Sequence, residues 1–378
     1  MRTLAKMPLF ILIIVFAAGF SIAGLLLPDR FFSELENKYL EQFPAVTTRT
    51  VIDGDFAERY EVYIGDQFLL RDVWIRLKSV SEAALMKTEN NDIVYGKDGY
   101  LFSKFYAFDT RALQRNLAAI DTFAAAVKAP VAVMIVPSKY SPLIVNLPGG
   151  LPFVDQDYFI AEVNNYLSAN ADIVNTKDIL AVNNHRYIYY RTDHHWTTYG
   201  AWLAYFQFAP IAGFTPFEYE SRPILAASDS FLGTNYSKSH RIFPKPDTIS
   251  YYDFSIQSLT ADGREYDSLY DIEQFDKRDK YAAFIQGNNG LTVIESEQSP
   301  DKQAAILVIK DSFSNSLIPL LTEHYNTIYA IDPRFYNHQL GYKQFADMEF
   351  DQVLIAYSFE TIAAPSNINF LMLDFMDD

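Results

Sequence analysis

Cysteine is absent from all 378 residues, so no thiol nucleophile, disulfide or cysteine-ligated metal site is open to this chain. Basic charge is also short: 31 Lys+Arg stand against 47 Asp+Glu, a formal net charge of −16. A nucleic-acid backbone would be repelled except at a local basic patch, and the sequence carries none. Internal repeats and low-complexity tracts are lacking too. Tryptophan is rare at 3 residues, whereas 30 Phe and 26 Tyr raise the aromatic share to 16%. Such side chains are common in strands, and carbohydrate sites also use their faces. With 49% hydrophobic residues the chain can bury a real core.

Charge is missing altogether from Pro8 to Leu27. At about 1.5 Å per helical residue this run matches the roughly 30 Å hydrocarbon layer, so a transmembrane signal anchor is predicted within residues 1–28. Arg2 and Lys6 precede the run and Asp29 follows it, which keeps the N-terminus cytoplasmic and sends the rest across the membrane. Ser21-Ile22-Ala23 offers the alternative of a cleaved export signal. Residues 29–105 read as a polar connector and a helical lead-in. Helix periodicity runs from about Phe56 to Leu85, and two short strands flank the turn Lys97-Asp98-Gly99.

Residues 106–378 predict an α/β fold with a doubly wound, mostly parallel sheet. Continuous apolar strands at Val131–Val136, Ile173–Val174, Ala304–Ile309, Thr327–Ile331 and Val353–Ala356 alternate with helical patterns at Leu113–Val127, Tyr158–Leu167 and Ser312 to about His324. Strands apolar throughout belong in a sheet covered on both faces. The polar stretch 215–300, rich in Tyr, Asp and Ser, reads as a loop-rich insertion suited to a substrate surface.

Two short stretches carry chemistry. Lys310-Asp311-Ser312-Phe313 ends an apolar strand and opens a helix, which puts the Ser312 hydroxyl at the carboxyl edge of the sheet, beside helix N–H groups suited to an oxyanion. Ser and Asp are also ordinary helix caps there. In Asp193-His194-His195-Trp196, an extended chain projects Asp193 and His195 to one side and His194 to the other, so His195 is favoured over His194. Thr197 or Thr198 then caps a helix through about Phe208. One reading makes His195 the base for Ser312, with Asp193 orienting its ring. The others are a solvated histidine loop and a core-edge histidine satisfied by a carboxylate. A metal at Asp193, His194 and His195 is disfavoured, because adjacent extended histidines diverge and no H-E-x-x-H pattern occurs.

Asp193-His194-His195-Trp196 resembles the signature of the DHHW family, SGNH-hydrolase-like proteins of bacterial cell surfaces. Supporting fragments include Tyr95-Gly96-Lys97-Asp98-Gly99, Val136-Pro137-Ser138-Lys139, Gly233-Thr234-Asn235-Tyr236-Ser237-Lys238 and Lys310-Asp311-Ser312-Phe313. The resemblance extends to alginate O-acetylation proteins and implies an SGNH-like fold of rearranged order, with Asp193, His195 and Ser312 as triad. Lys310 stands where those relatives usually have glycine. It further implies an oxyanion hole, for which Gly287 and Asn288, in a loop after a Phe284–Ile285 strand, are the candidates; the other reading of that pair is a simple turn. Lys238 and Arg334 read either as contacts to a polar or anionic glycan or as solvated rim charges.

The activity so implied is extracytoplasmic O-acetyl transfer to a cell-surface or secreted polysaccharide through an acetyl-serine, with no cofactor and no metal. Acetyl-CoA does not occur outside the cytoplasm, so a multi-spanning membrane acyltransferase is the expected acetyl-donating partner. The alternatives are a carbohydrate acetyl esterase with the same triad and a non-enzymatic, membrane-tethered glycan-binding or assembly protein.

Overall fold

All six residues of Val131–Val136 are buried, as a strand covered on both faces requires. The structure, a computed structural model, describes residues 8–336, 348–365 and 368. The chain divides into two units, one running up to Asn91 and including Ser237–Phe243, the other comprising Asp92–Tyr236 and Pro244 onward. The second unit holds an eight-stranded sheet. In chain order its strands are β1 (Val131–Val136), β2 (Asp172–Val174), β3 (Ile256–Ala261), β4 (Arg264–Tyr266), β5 (Leu291–Ser296), β6 (Gln303–Lys310), β7 (Tyr325–Ile331) and β8 (Gln352–Ser358).

Across the sheet the order is β4-β3-β5-β7-β6-β8-β1-β2. Strands β7, β6, β8, β1 and β2 are parallel, and β5, β3 and β4 extend the sheet in antiparallel fashion. The fold is therefore mixed α/β with a mostly parallel sheet. Alternate side chains feed two cores. Ala132, Met134, Val308 and Ala356 pack with the helix Thr198–Phe208, whereas Val133, Ile135, Leu307 and Ile355 pack with the helices Thr110–Ala126 and Gln156–Leu167. Full burial of each Val, Ile or Leu contributes about 1.5–3 kcal/mol, so the sheet that carries the site is its most firmly fixed part.

Several local expectations change. The stretch 215–300 supplies β3, β4 and β5 as well as a hairpin of Ile224–Phe231 with Asp247–Tyr252. Phe284–Ile285 is not a strand: Phe284 makes one isolated bridge to Tyr270, and Ile285 and Gln286 adopt positive φ. The helix expected from Ser312 to His324 is a 3-10 turn, Ser312–Ser316, followed by the short helix Ile318–Leu321. Pro319, which lacks an N–H, sits near the start of that second piece.

In the first unit the expected long helix is two, Asp55–Asp66 and Arg71–Ala84, parted at Leu70 with φ +56°. Buried Asp66 takes the Lys38 ammonium at 2.7 Å and the Glu41 N–H at 3.0 Å, and Arg71 forks onto Glu36 at 2.7 and 2.8 Å. These partners, distant in sequence, favour the break over continued helix. Pro8–Leu26 forms an uncharged helix of 19 residues. Among the described residues, however, no helix is long and apolar enough to cross a membrane, a correction to the expected anchor. At about 1.5 Å per residue such a helix covers about 28 Å, short of the roughly 30 Å layer. Residues 1–7 lie outside the described residues.

Candidate active site

Strand β6 lies between two parallel neighbours and ends at Lys310, so the Ser312 turn stands at the carboxyl edge of the sheet. Asp311 shapes that turn. Its Oδ1 accepts the Phe313 N–H at 3.0 Å, and its Oδ2 accepts the Ser358 N–H at 2.9 Å and the Thr361 hydroxyl at 2.8 Å. The capping role thus falls to Asp311, and the Ser312 hydroxyl points elsewhere. Lys310 is accommodated inside the protein: its Nζ donates to Asn315 Oδ1 at 2.6 Å and lies 3.7 Å from Asp332. Burial draws its pKa down to about 8.

The Ser312 Oγ lies 2.8 Å from His195 Nε2, and His195 Nδ1 lies 2.6 Å from Asp193 Oδ1. A serine hydroxyl donating to Nε2 and an Nδ1–H donating to the carboxylate satisfy both contacts, which assigns the tautomer by its hydrogen bonds. The chain here is a run of bends, not an extended strand. Asp193 Oδ1 also accepts the His195 N–H at 2.9 Å, so the pair meets through a local turn of the Asx kind. For the same reason His194 does not diverge: its ring centroid is 3.8 Å from that of His195.

Four surrounding groups hold this loop. Thr234 donates its N–H at 2.8 Å and its hydroxyl at 2.6 Å to Asp193 Oδ2, and His194 Nδ1 is 2.8 Å from the same hydroxyl. Gly233 leaves space for the Asp193 carboxylate that any Cβ would fill. Buried Lys139 donates to the carbonyls of Tyr190, Arg191 and Asp193 at 3.0, 3.0 and 2.7 Å. On the other side, Asp247 accepts the N–H groups of Arg191 and Thr192 at 2.7 and 2.8 Å. Thr197 caps the helix Thr198–Phe208, its hydroxyl accepting the Gly200 N–H at 3.3 Å.

Electrostatics follow from this packing. Burial opposes ionisation of Asp193, yet the adjacent His194 and His195 and the hydrogen bonds from His195 and Thr234 hold its carboxyl well below the usual range. Burial pulls Lys139 down to about 7. Tyr281 stacks flat on His195, with centroids 3.8 Å apart and planes 8° apart. Its hydroxyl reaches the Ser312 and Phe313 carbonyls at 3.0 and 3.2 Å. Trp196, fully buried, donates Nε1–H to the Phe313 carbonyl at 2.9 Å. One aromatic residue on each side thus ties the histidine loop to the serine turn.

A cavity of about 440 Å³ opens over Ser312, lined among others by Phe102, Tyr140, His194, Asn235, Arg334 and Glu360. Its size suits a small-ligand or glycan segment. Arg334 is therefore at the site, with its Nε and Nη2 engaged by Asp332 at 2.9 and 2.6 Å. Lys238 is exposed on the short helix Thr234–Ser239 and is not among the lining residues. Gly287 and Asn288 do not line the cavity either. The Gly287 N–H donates to the Phe284 carbonyl at 3.0 Å, and Asn288 Oδ1 accepts from Asn315 at 3.0 Å. The Gly287 N–H is thus spent within its own loop, and the Asn288 side chain reaches the serine turn only through Asn315.

Asp193, His194 and His195 each offer one ligand atom within 4.8 Å of the others. Both nitrogens of His195 and both oxygens of Asp193 are hydrogen-bonded as they stand, so a metal would have to displace the link to Ser312 or to Thr234. Gly233, Thr234, Lys139 and Tyr281 were not singled out as site residues from sequence. Gly233 and Thr234 lie inside a family-like fragment, whereas Tyr281 has no local signature at all.

A family model described as DHHW protein matches residues 83–331. The chain belongs to the DHHW family. A DHHW protein from Eubacterium siraeum has a similar structure, with a TM-score of 0.63 at 22% identity over 75% of this chain and 96% of that one. Bacillus cereus PatB1, determined with a sulfonyl adduct, matches with a TM-score of 0.63 at 21% identity over 74% and 98%. The O-acetyltransferase domain of Pseudomonas putida AlgJ matches with a TM-score of 0.46 at 16% identity over 75% and 95%. No curated protein matches this DHHW chain. At these identities the likeness to the solved structures is one of fold.

Proposed function

We propose that this protein transfers O-acetyl groups to a polysaccharide through an acetyl-Ser312 intermediate. The observation that carries the reading is the unbroken line from Ser312 Oγ through His195 to Asp193, at 2.8 and 2.6 Å, opening into a polar and aromatic cavity. Ser312 Oγ attacks the donor's acetyl carbonyl while His195 Nε2 takes the hydroxyl proton, and Asp193 stabilises the imidazolium. Ser312 N–H is the first of its 3-10 turn and has no acceptor within it, which suits it to the developing oxyanion. Collapse expels the donor's leaving group, which takes the proton from Nε2. A sugar hydroxyl then attacks the acetyl-serine, gives its proton to Nε2, and leaves as the sugar acetate when Ser312 recovers that proton.

The uncharged helix Pro8–Leu26 fits an extracytoplasmic location, as the apolar core of an export segment. Outside the cytoplasm the acetyl group must be handed across the membrane, so a multi-spanning acyltransferase is the proposed donor. Hydrolysis and transfer share every step up to the acetyl-enzyme and differ only in the attacking hydroxyl. A sulfonyl fluoride, chemically akin to the adduct on PatB1, tests the nucleophile. Labelling of wild type, its loss in Ser312→Ala and His195→Ala, and loss of glycan acetylation in cells carrying Ser312→Ala are expected. Undiminished acetylation in those cells would remove the proposal.

A further inference from the structure

In the first unit, the helix Arg71–Ala84 is amphipathic in the reverse of the usual sense. Its buried or half-buried residues are Arg71, Asp72, Ile75, Ser79 and Glu82, of which only Ile75 is apolar. Asp72 takes the Arg30 guanidinium in two hydrogen bonds at 3.1 and 3.0 Å, and Glu82 pairs with Lys87 at 3.2 Å. Polar groups thus fix the inward side. Val73, Trp74, Leu77 and Val80 are 55%, 38%, 51% and 51% exposed. At about 100° per residue they fall within about 120° of arc, the width of a stripe that ordinarily faces a core. Here it faces out, which marks an interaction surface.

The flanks of the stripe indicate what covers it. Arg76 borders it on one side and Lys78 on the other, both exposed, as where long basic side chains reach lipid headgroups from an apolar layer. Lys78 donates to the neutral amide oxygens of Asn90 and Asn91 at 3.0 and 2.9 Å. Trp74 stands at the stripe's edge, and indole rings favour the boundary between headgroups and acyl chains. The ring of Phe20, in the uncharged helix Pro8–Leu26, lies 6.2 Å from that of Phe68 and 6.3 Å from that of Trp74, so the stripe continues into a second apolar surface. Pairing with a second copy, parallel or antiparallel, would bring the basic flanks against each other.

We propose that the helix Arg71–Ala84 seats the first unit on a lipid surface. It lies in the plane of the boundary, with Val73, Trp74, Leu77 and Val80 among the acyl chains and Arg76 and Lys78 at the phosphates. No segment has to cross the layer for this, and the seating holds whatever Ser312 does. Trp74 is its reporter, because the other two of the 3 tryptophans, Trp196 and Trp202, are 0% and 8% exposed. The full chain is mixed with vesicles of phosphatidylcholine and phosphatidylglycerol whose acyl chains carry bromine just below the headgroups. Bromine should quench wild-type emission and leave Trp74→Phe unquenched. Val73→Asp combined with Leu77→Asp, at positions facing solvent, should weaken the vesicle affinity read from this quenching by at least about tenfold. Vesicles of phosphatidylcholine alone should bind severalfold more weakly. Equal quenching in wild type and Trp74→Phe overturns the proposal. So does undiminished quenching in a double variant of native melting temperature. Trp74 emission that changes with protein concentration and not with lipid overturns it too, in favour of a second copy on this face. Equal affinity for the two vesicle types overturns the placing of Arg76 and Lys78 at the headgroups.

Discussion

Gly233 lies so close against Asp193 that a methyl group added there would overlap the carboxylate. The φ of Gly233 is not in the left-handed region, so its backbone tolerates alanine and the cost falls on the contact alone. Gly233→Ala should therefore push Asp193 off His195 while leaving the sheet intact. A displacement near 1 Å in such an assembly lowers turnover by about a hundredfold. Aryl-acetate hydrolysis rates beside an unchanged circular dichroism spectrum check this. Near-wild-type turnover would show that the carboxylate is not needed where it lies.

Tyr281 couples the two halves of the site through separable parts, a ring on His195 and a hydroxyl on the serine turn. Tyr281→Phe keeps the ring and deletes buried hydrogen bonds, which should cost about 1–3 kcal/mol of stability with only a severalfold loss in kcat. Tyr281→Leu also removes the flat face that fixes the imidazole and should lower kcat much further. Urea unfolding midpoints and kcat for both variants separate the two contributions. Equal kcat values would mean that the stack does not position His195.

How much of this was legible in advance depended on how local the cause was. Val131–Val136 and Ala304–Ile309 announce themselves because a run of apolar side chains needs cover on both faces wherever it lies. Asp193 and His195 meet for a reason the spacing does not carry: an Asx turn, not strand alternation, joins them. The break at Leu70 was hidden because it answers to Glu36, Lys38 and Glu41, distant in sequence. Gly287 misled because Gly-Asn marks a turn without saying which way its N–H points. Tyr281 was invisible, since its role exists only once residues 195 and 312 have met.

Trp196 ties the histidine loop to the serine turn by donating Nε1–H to the Phe313 carbonyl at 2.9 Å and to Ser316 Oγ at 3.0 Å. Trp196→Phe fits the same space and leaves a small void, so it should lose about 2–4 kcal/mol from packing and unmet polar atoms together. Its kcat should fall as Ser312 loosens relative to His195, and sulfonyl labelling should slow in proportion. Labelling at the wild-type rate in a destabilised protein would assign Trp196 to stability alone.

Lys139 gives a prediction whose sign can be worked out. Its folded pKa of about 7 lies below the ordinary 10.5, so between those values the unfolded chain holds a proton that the folded chain has released. Folding is therefore penalised below about pH 7 and the penalty lifts as pH rises toward 10.5, by at most about 1.4 kcal/mol per pH unit. Lys139→Met removes this dependence and leaves the carbonyls of Tyr190, Arg191 and Asp193 without their donor. Wild type should be the more stable protein, and its margin over the variant should widen from pH 7 to pH 10, because all other titrations cancel in the difference. Urea denaturation of both proteins across that range measures the margin. A constant margin would mean that the three carbonyls keep the ammonium charged despite its burial.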